Sequence, residues 1–437
     1  MRALPHNENR IRLADDNLCR ACENLVVVAE SDHRKRKAGN NDDVVIVSAV
    51  RSAITKAKKG GFKDTRPEEI LMHCLKHVYS SVNLDPKLIE DVAVGNVLPP
   101  SGGAGAARMA ALAAGIPHTT SLNTLNRQCS SGLSAVNQIA NEIMVGQIDI
   151  GIGAGVESMT FGYGPSAQAD GYSDLVLENQ EAADCMLPMG ITSENVAAQY
   201  KISRDRQDTF AALSFQKAAA AQKANKFAPE ILPIKTTWTD PKTEQDKTVV
   251  VDKDDGVRDG VTKESLSKLK PAFSKTGSTH AGNASQVSDG AAAVLLARRS
   301  VAKKLGLPIV GKFVAAQVVG VPPKIMGVGP AYAIPKVLEK AGLSISDVDF
   351  FEINEAFASQ AVMSVDQLGL PWENETGKAK VNRWGGAIAI GHPLGCTGAR
   401  QIATGLNIAK QDGEKVFVTS MCIGSGMGMA AVFVNEQ

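Results

Sequence analysis

The chain has 437 residues, of which 44% are hydrophobic and 21% charged, and its formal net charge at pH 7 is +1. Single hydrophobic cores stop growing at about 250–300 residues, so this chain should form more than one packed unit. The near-neutral charge gives no general attraction to nucleic acid or to an anionic membrane surface. No uninterrupted apolar stretch approaches the roughly 18 residues that a membrane span needs, so no transmembrane segment is predicted.

Seven cysteines are scattered along the chain. An odd number in a chain of this size argues against a disulfide framework and fits a reducing compartment. Cys19 and Cys22 have the spacing of half a zinc site, but no second pair and no nearby histidine doublet accompanies them. We therefore predict no metal site.

The N-terminal segment, residues 1–42, differs from the rest of the chain. It carries mixed charge and a basic run at 34–37. We interpret it as a tail or removable leader before the first strand. A mitochondrial leader is poor in acidic residues, whereas acidic residues recur throughout this segment, which argues against a mitochondrial address.

From residue 44 onward, short apolar runs alternate with alanine-rich stretches of helical spacing. In chain order, the predicted strands include those at 44–47, 91–95, 148–152, 350–353 and 416–418. A helix is predicted over 106–114. This alternation predicts an α/β fold with parallel sheets covered by helices. The stretch from about 161 to 282 is more polar and breaks the alternation, so we interpret it as an insertion lying across the core.

Two parts of the chain resemble each other faintly. Residues 91–96 and 349–354 share the form Asp, four mostly apolar residues, Asn. Cys129 and His392 each precede a stretch of helical spacing. Two related halves would place a thiol and an imidazole at equivalent helix starts.

Cys129 lies between a predicted strand and a predicted helix, in the segment NRQCSSG at 126–132. Free N–H groups at a helix start favour thiolate over thiol and can hold a developing oxyanion. On these residues alone, Cys129 fits either a nucleophile or a small buried hydrophobic residue, the common environment of a free cysteine.

His392 lies between a glycine and a proline, a sequence typical of a turn. An imidazole there can act as a base toward a thiol, or it can bond to a loop backbone. Asn354 follows a strand and opens a helix-like segment, where it can cap the helix or serve a site. By themselves these two positions leave both interpretations open.

Cys422 begins the glycine-rich segment CIGSGMG at 422–428, in which backbone amides can approach a ligand closely. No Gly-Lys-Ser/Thr sequence follows, which argues against a P-loop. The glycine-rich run at 151–155 lacks the spacing of a dinucleotide-binding fold. Nucleotide phosphates are therefore not the expected ligands of these glycines.

Five segments taken together closely resemble the thiolase family. They are NRQCSSG at 126–132, GVESM at 155–159, NEAF at 354–357, GHP at 391–393 and CIG at 422–424. The resemblance extends from about Val44 to Val434, and the motifs occur in the family's order. Chance agreement of five independent motifs is negligible, so the functional interpretation of each segment is favoured.

The resemblance implies a five-layered αβαβα thiolase fold built from two similar halves with an inserted loop domain. The predicted divisions are 1–42 for the leader, 43–300 for the N-terminal half, which includes the loop domain at about 161–282, and 301–437 for the C-terminal half. The family also implies a homodimer.

The resemblance further implies thiolytic cleavage of a 3-ketoacyl-CoA through an acyl-cysteine intermediate. Cys129 would be the nucleophile and His392 would take its proton. Cys422 would protonate the leaving acetyl carbanion. Asn354 would hold a water that, with His392, binds the thioester oxygen. The N–H groups of Cys129 and Gly424 would form a second oxyanion site. Coenzyme A would be a co-substrate, and no cofactor is implied.

Four further positions match family residues that contact the substrate. Arg258 and Ser265 would contact the nucleotide end of CoA, Ser285 the pantetheine, and Met189 the acyl chain. The alternatives are ordinary surface charge for Arg258 and a turn for Ser285. Acetoacetyl-specific members tend to carry histidine where this chain has Pro188, so a degradative enzyme with a broad acyl range is expected.

The segments CMLPMGIT at 185–192 and GVPP at 320–323 resemble the peroxisomal branch of the family. The N-terminal residues at 10–11 and 17–18 approach the import signal of that branch, but Asn17 stands where the signal has His or Gln. We expect the peroxisome matrix, with the cytosol or mitochondrion as alternatives, and the peroxisomal import receptor as a partner.

Two other function classes share part of this pattern. The related condensing enzymes use a Cys-His-His or Cys-His-Asn set, and the segment around Cys422 argues against that class. A catalytically inactive CoA- or lipid-binding relative should have lost its nucleophile or its base, whereas this chain keeps both Cys129 and His392.

Overall fold

The computed structural model describes residues 40–164, 171–373 and 379–437. The import-type sequence at 10–18 and nearly all of the predicted leader lie outside these ranges. Within them, no helix has the length and apolar character needed to cross a membrane. The same residues contain no cluster of His, Cys, Asp and Glu side chains suited to a metal ion.

The strands of the described residues are numbered in chain order. They are β1 Val44–Ser52, β2 Thr55–Lys56, β3 Asp91–Gly95, β4 Ser121–Leu125, β5 Ile150–Ser158, β6 Ile231–Leu232, β7 Ile234–Thr239, β8 Asp246–Val251, β9 Ser288–Arg298, β10 Gly311–Gly320, β11 Phe350–Ile353, β12 Val416–Ile423 and β13 Met427–Asn435. The predicted strands at 91–95 and 350–353 are confirmed residue for residue. The predicted strand at 148–152 begins two residues later and is longer.

The α-helices are numbered in the same way. They are α1 Pro67–Ser80, α2 Ala104–Ala113, α3 Ser131–Met144, α4 Met159–Gly162, α5 Asp174–Leu177, α6 Gln180–Asp184, α7 Met189–Gln199, α8 Arg204–Lys223, α9 Lys263–Ser267, α10 Arg299–Lys304, α11 Gly329–Ala341, α12 Ala358–Gln367, α13 Ala387–Ile390 and α14 Thr397–Asp412. The alanine-rich stretch predicted to be helical over 106–114 corresponds to α2.

Eleven strands form one hydrogen-bonded set in the order β11-β12-β13-β10-β1-β9-β5-β3-β4, with β2 attached to β9 and β6 to β1. Strands β3, β4 and β5 pair in parallel, as do β11 with β12 and β1 with β6. The pairs β1–β9, β1–β10, β5–β9, β10–β13 and β12–β13 are antiparallel. The expectation of parallel sheets is therefore wrong for the middle of the set, and the sheet is mixed. The error arose because a buried strand is apolar throughout whichever way its neighbours run.

The strand order repeats about the β1–β10 pair. Moving outward from β1 the order is β9, β5, β3, and moving outward from β10 it is β13, β12, β11. The chain thus forms two halves of matching topology. Helices α3 and α14 occupy corresponding places, since each follows the segment that carries Cys129 or His392.

The five layers follow from which faces the helices cover. Helix α14 is buried from Thr397 to Ala409 and contacts α3 as well as strands of both halves. Helix α3 packs on β3, β5 and β9, helix α1 on the N-terminal strands, and α11 on β10, β12 and β13. Helices α3 and α14 therefore form a central layer between two sheet layers, each covered outside by further helices. This is the predicted αβαβα fold.

Candidate active site

The thiol of Cys129 stands on a tight turn at the start of α3. Residues Gln128–Ser130 form a single 3₁₀ turn before that helix, and Gln128 adopts φ +46°, an unfavourable conformation for a non-glycine residue. The Gln128 backbone N–H donates to Asn126 Oδ1 at 2.8 Å, and its side-chain Nε2 lies 3.3 Å from Ser425 Oγ. These bonds hold the turn and connect it to the segment that carries Gly424.

Two backbone N–H groups form hydrogen bonds with the sulfur of Cys129. Burial raises the pKa of this thiol to about 11, while hydrogen bonds from the N–H groups of Gly424 and of Cys129 itself oppose the shift. At neutral pH the thiol is therefore protonated and needs a base to react. The two N–H groups that would stabilise a thiolate are also placed to stabilise a negative oxygen on an acyl group attached there.

His392 is buried and its tautomer follows from its partners. Its Nδ1 lies 2.6 Å from Thr397 Oγ1, and that hydroxyl donates to Pro393 O at 3.0 Å. Since the hydroxyl has a single proton, Thr397 accepts from Nδ1–H, and Nε2 carries the lone pair. Burial lowers the pKa of His392 to about 3, with Arg400 contributing in the same direction. The neutral imidazole is a proton acceptor at physiological pH.

Asn354 lies immediately after β11 and is buried beside His392. Its backbone N–H donates to Ser420 O at 2.8 Å, continuing the β11–β12 pairing by one residue. Its Nδ2 lies 3.2 Å from His392 Nε2. Because β12 leads directly to Cys422, this pairing places the Asn354–His392 pair at the end of the strand that carries the second thiol.

Cys422 is fully buried in a small apolar cluster with Ala284, Met326, Ala356 and Phe357. Burial, and then the neighbouring sulfur of Cys129, raise the pKa of the Cys422 thiol. Cys422 therefore remains a protonated thiol until an acceptor of high basicity, such as a carbanion, arrives. Cys129, by contrast, is only half-buried.

Gly424 packs against the side chain of Gln128. A Cβ atom at this position would overlap Gln128 Oε1. The Gly424 N–H bonds to Cys129, and a larger residue at this position would push the Gln128 side chain away from Ser425. The structure thus places Cys129, His392, Asn354, Cys422 and Gly424 in one region.

The four predicted substrate contacts fall into two pairs. Ser285 donates its backbone N–H to Ala356 O at 2.9 Å, two residues after Asn354 in the chain. Met189 starts α7, where the adjacent Gly190 packs against the ring of Phe273. Arg258 and Ser265 instead lie exposed near α8. The Arg258 guanidinium is 4.6 Å from the centre of the Phe215 ring, and Ser265 forms a capping box with Thr262 at the start of α9.

Three residues of the site were not predicted to contribute. Thr397 bonds to His392 Nδ1, and Gln128 supports the Cys129 turn. Glu355 accepts from Asn382 and from the Ile388 N–H, in the segment that leads to His392. A threonine five residues after a histidine carries no distinctive signal. Glu355 was visible in the motif NEAF, but its partners are distant in the sequence.

Paired thiols, an imidazole and an amide, carried by two halves of matching topology, define the thiolase class of fold and site. The thiolase N-terminal domain model matches residues 44–300 and the thiolase C-terminal domain model matches 307–435. The chain therefore belongs to the thiolase family.

Its relatives include named enzymes. It is 60% identical over 397 residues to "3-ketoacyl-CoA thiolase, peroxisomal" of Yarrowia lipolytica, covering 91% of this chain and 94% of the relative. It is 55% identical over 392 residues to the human protein of the same name, covering 90% of each chain. Among solved structures, the dimeric peroxisomal thiolase of Saccharomyces cerevisiae matches with a TM-score of 0.84 and 53% identity, covering 92% of this chain and 100% of that one.

Proposed function

We propose that this protein cleaves 3-ketoacyl-CoA with a second molecule of CoA, yielding acetyl-CoA and a shortened acyl-CoA, in fatty acid β-oxidation. The observation that carries the proposal is the arrangement around Cys129. Its sulfur meets two backbone N–H donors and neighbours a second buried thiol, and the Nε2 atom of His392 carries a lone pair that accepts from Asn354 Nδ2 at 3.2 Å. The names of the similar enzymes support the same reaction.

The first half-reaction uses four of the five residues. His392 Nε2 takes the Cys129 proton, and the thiolate attacks the 3-keto carbon. The C2–C3 bond then breaks, its electron pair goes to the acetyl-CoA enolate, and the acyl group stays on Cys129. The enolate oxygen is stabilised at the Asn354–His392 pair, through a water held by Asn354, and Cys422 protonates the carbanion. Transfer of the His392 proton to the Cys422 thiolate restores both groups.

The second half-reaction returns the enzyme to its starting state. His392 removes the proton of an incoming CoA thiol, and the CoA thiolate attacks the acyl-Cys129 thioester. The negative oxygen of this tetrahedral intermediate lies toward the N–H groups of Cys129 and Gly424. Cys129 leaves as a thiolate and recovers the proton from His392. Two steps through a covalent intermediate predict ping-pong kinetics.

We assign CoA recognition to the loop domain and the acyl cleft. Arg258 and Ser265, both near α8, are proposed for the nucleotide end, Ser285 for the pantetheine, and Met189 for the acyl chain. The main-chain bond from Ser285 to Ala356 supports the pantetheine assignment, because Ala356 is two residues from Asn354 in the chain. CoA is a co-substrate in this scheme, and the chemistry requires no further cofactor.

We infer that the protein acts as a homodimer in the peroxisome matrix. The named relatives are peroxisomal, and the similar yeast structure is dimeric. The peroxisomal import receptor remains our proposed partner for the N-terminal segment. Light scattering of the purified protein tests the dimer. Fluorescence microscopy of the protein with and without residues 1–42 tests the compartment and the targeting role of this segment.

A thiolysis assay over 3-ketoacyl-CoAs of several chain lengths tests the proposed reaction, with Cys129→Ala as the matched control. We expect the wild-type protein to cleave substrates of several lengths and the variant to be inactive. Cleavage of the four-carbon substrate alone would refute the broad acyl range. Activity that survives in Cys129→Ala would refute the assignment of the nucleophile.

A further inference from the structure

Glu355 is a buried carboxylate next to Asn354 in the chain, and it has no part in the reaction scheme. It is 1% exposed. Its Oε2 accepts from Ser214 Oγ at 2.6 Å and from the Ile388 N–H at 3.1 Å, and its Oε1 accepts from Asn382 Nδ2 at 2.7 Å. Burial raises the pKa of Glu355, and these three donors oppose the shift. One carboxylate therefore joins three segments that are far apart in sequence.

The first of these segments leads to the catalytic histidine. Ser214 uses its proton on Glu355, and its oxygen accepts the Gly386 N–H at 3.1 Å. Ser214 and Glu355 thus satisfy two N–H groups at the start of α13, a four-residue helix that ends two residues before His392. A Cβ atom at Gly386 would overlap the Glu355 carboxylate, which shows how closely this turn is held.

The second segment fixes the end of the strand that leads to Asn354. The Asn382 side chain accepts the Ile353 N–H at 2.8 Å and donates to Ile353 O at 2.8 Å, acting as a partner strand for a single residue. Its second amide proton goes to Glu355. Asn382 adopts φ +44°, an unfavourable conformation that these bonds compensate.

The third segment is helix α8, which carries Ser214. The next residue on this helix, Phe215, supports Arg258 through its ring. Helix α8 therefore touches both the carboxylate beside the catalytic pair and a side chain that we assign to the nucleotide end of CoA.

We propose that Glu355 is a positioning residue that sets the geometry of the Asn354–His392 pair, and that Ser214 makes helix α8 part of this arrangement. The inference rests on the proposed thiolase reaction. Asn354 is adjacent to Glu355, and His392 follows the turn that Glu355 and Ser214 hold. A displacement of about 1 Å between catalytic groups can lower a rate roughly 100-fold, so loss of this anchor should act on the chemical step.

Replacing Glu355 by Gln changes one hydrogen bond in a defined way. The glutamine oxygen can still accept from the Ser214 and Ile388 side, but its amide group then faces the Asn382 amide, donor to donor. The side-chain amide of Asn382 cannot flip without breaking both of its hydrogen bonds to Ile353. The variant therefore keeps the volume of the side chain and disturbs the junction between the two catalytic segments.

The matched control is Glu194→Gln. The Glu194 carboxylate also accepts several hydrogen bonds, from the backbone N–H groups of Ser278 and Thr279 and from Ser278 Oγ. None of these bonds reaches the segments that precede Asn354 or His392. Both variants lose a negative charge from a network, but only Glu355→Gln disturbs the catalytic pair.

The test measures kcat, KM for CoA and the exchange of acetyl-CoA methyl protons with solvent, which reports on enolate formation. For Glu355→Gln we expect kcat and exchange to fall roughly 10- to 100-fold while KM for CoA changes less than about threefold. For Glu194→Gln we expect changes below about threefold in all three quantities. Equal kcat values for the two variants, with an active wild-type protein, would overturn the inference. An inactive wild-type protein would overturn the proposed reaction instead.

Ser214→Ala is an independent variant that keeps the Glu355 carboxylate. If Glu355→Gln does not fold, this variant tests the proposed positioning role instead. It leaves the Gly386 N–H without its acceptor, and we expect kcat to fall roughly 3- to 10-fold at unchanged KM. In the double variant the two effects should be less than multiplicative, because both act on the same turn. A wild-type kcat in Ser214→Ala would overturn the role of α8.

Discussion

His392 Nε2 lies 3.2 Å from Asn354 Nδ2, although 38 positions separate the two residues in the sequence. The two side chains bring different hydrogen-bonding groups to one place in the site. Because Thr397 holds Nδ1–H, the histidine presents a lone pair, while the asparagine presents an N–H group. A site that forms an enolate needs both a proton acceptor and a donor to the developing oxygen. In the proposed reaction this pair supplies them, with the water held by Asn354 as the donor.

The buried thiol of Cys422 can be separated experimentally from the thiol of Cys129. We expect Cys422→Ala to lower thiolysis roughly 10²- to 10⁴-fold, because the acetyl carbanion loses its proton donor. The same variant should still accept an acyl group on Cys129 from a saturated acyl-CoA, since that step breaks no carbon–carbon bond. Mass spectrometry of the protein measures the adduct.

Cys74→Ala is the control for Cys422→Ala, because Cys74 is equally buried and its Sγ bonds to Ala291 O, at 3.6 Å. This variant should retain thiolysis. Failure of Cys422→Ala to acquire the acyl adduct would contradict separate roles for the two thiols.

Thr397 is expected to control the histidine through its tautomer. Thr397→Val keeps the shape of the side chain but removes the acceptor for Nδ1–H, so the proton can move to Nε2 and block the base. We expect kcat to fall roughly 10- to 100-fold with a small change in KM. Thr404→Val is the control, because Thr404 is a buried hydroxyl on the same helix that bonds to Glu230 instead. Equal effects of the two changes on kcat would show that only helix stability is involved.

The fold and the catalytic segments were readable from the sequence because their signals are local. The strand at 91–95 and the strand at 350–353 are short apolar runs bounded by polar residues, and burial of both faces produces that pattern directly. The segments around Cys129 and His392 precede helices, as predicted. The thiolase fold is confirmed, whereas the chemical role of each site residue stays a prediction.

What the sequence did not reveal depends on distant partners. The antiparallel pairing of β1 with β9 and β10 is set by the path of the chain, not by composition. Glu355 could not be distinguished from a helix cap, since its donors lie 141, 27 and 33 positions away. Likewise, the sequence NRQCSSG gives no indication that Gln128 has a positive φ.

His392 should make the folded protein sensitive to acid. Its pKa in the folded state is lowered to about 3, whereas an unfolded histidine titrates near about 6.5. Below about pH 6.5 the unfolded chain binds a proton at this position and the folded chain does not, so stability falls as pH falls. This one group should contribute a slope of about 1 kcal/mol per pH unit between pH 6 and pH 4.

Urea unfolding of the wild-type protein and of His392→Gln at pH 6, 5 and 4 measures that contribution. The free energy of unfolding of the wild-type protein, relative to that of the variant, should decrease from pH 6 to pH 5 and again to pH 4, because glutamine does not titrate. Parallel pH dependences for the two proteins would show that His392 is not held neutral.

Gly424 offers the most direct test of the second oxyanion site. In Gly424→Ala the new methyl group would overlap Gln128 Oε1, so either the Gln128 side chain must leave Ser425 or the Gly424 N–H must move away from Cys129. Loss of one such donor typically lowers kcat roughly 10²- to 10³-fold. We expect a loss of that size in thiolysis, together with slower acylation of Cys129 by acyl-CoA. Gly320→Ala is the control, because a Cβ atom there meets nothing within 4 Å. If Gly424→Ala slows only the carbon–carbon cleavage and leaves acyl transfer between thiols intact, its N–H does not serve the acyl-enzyme.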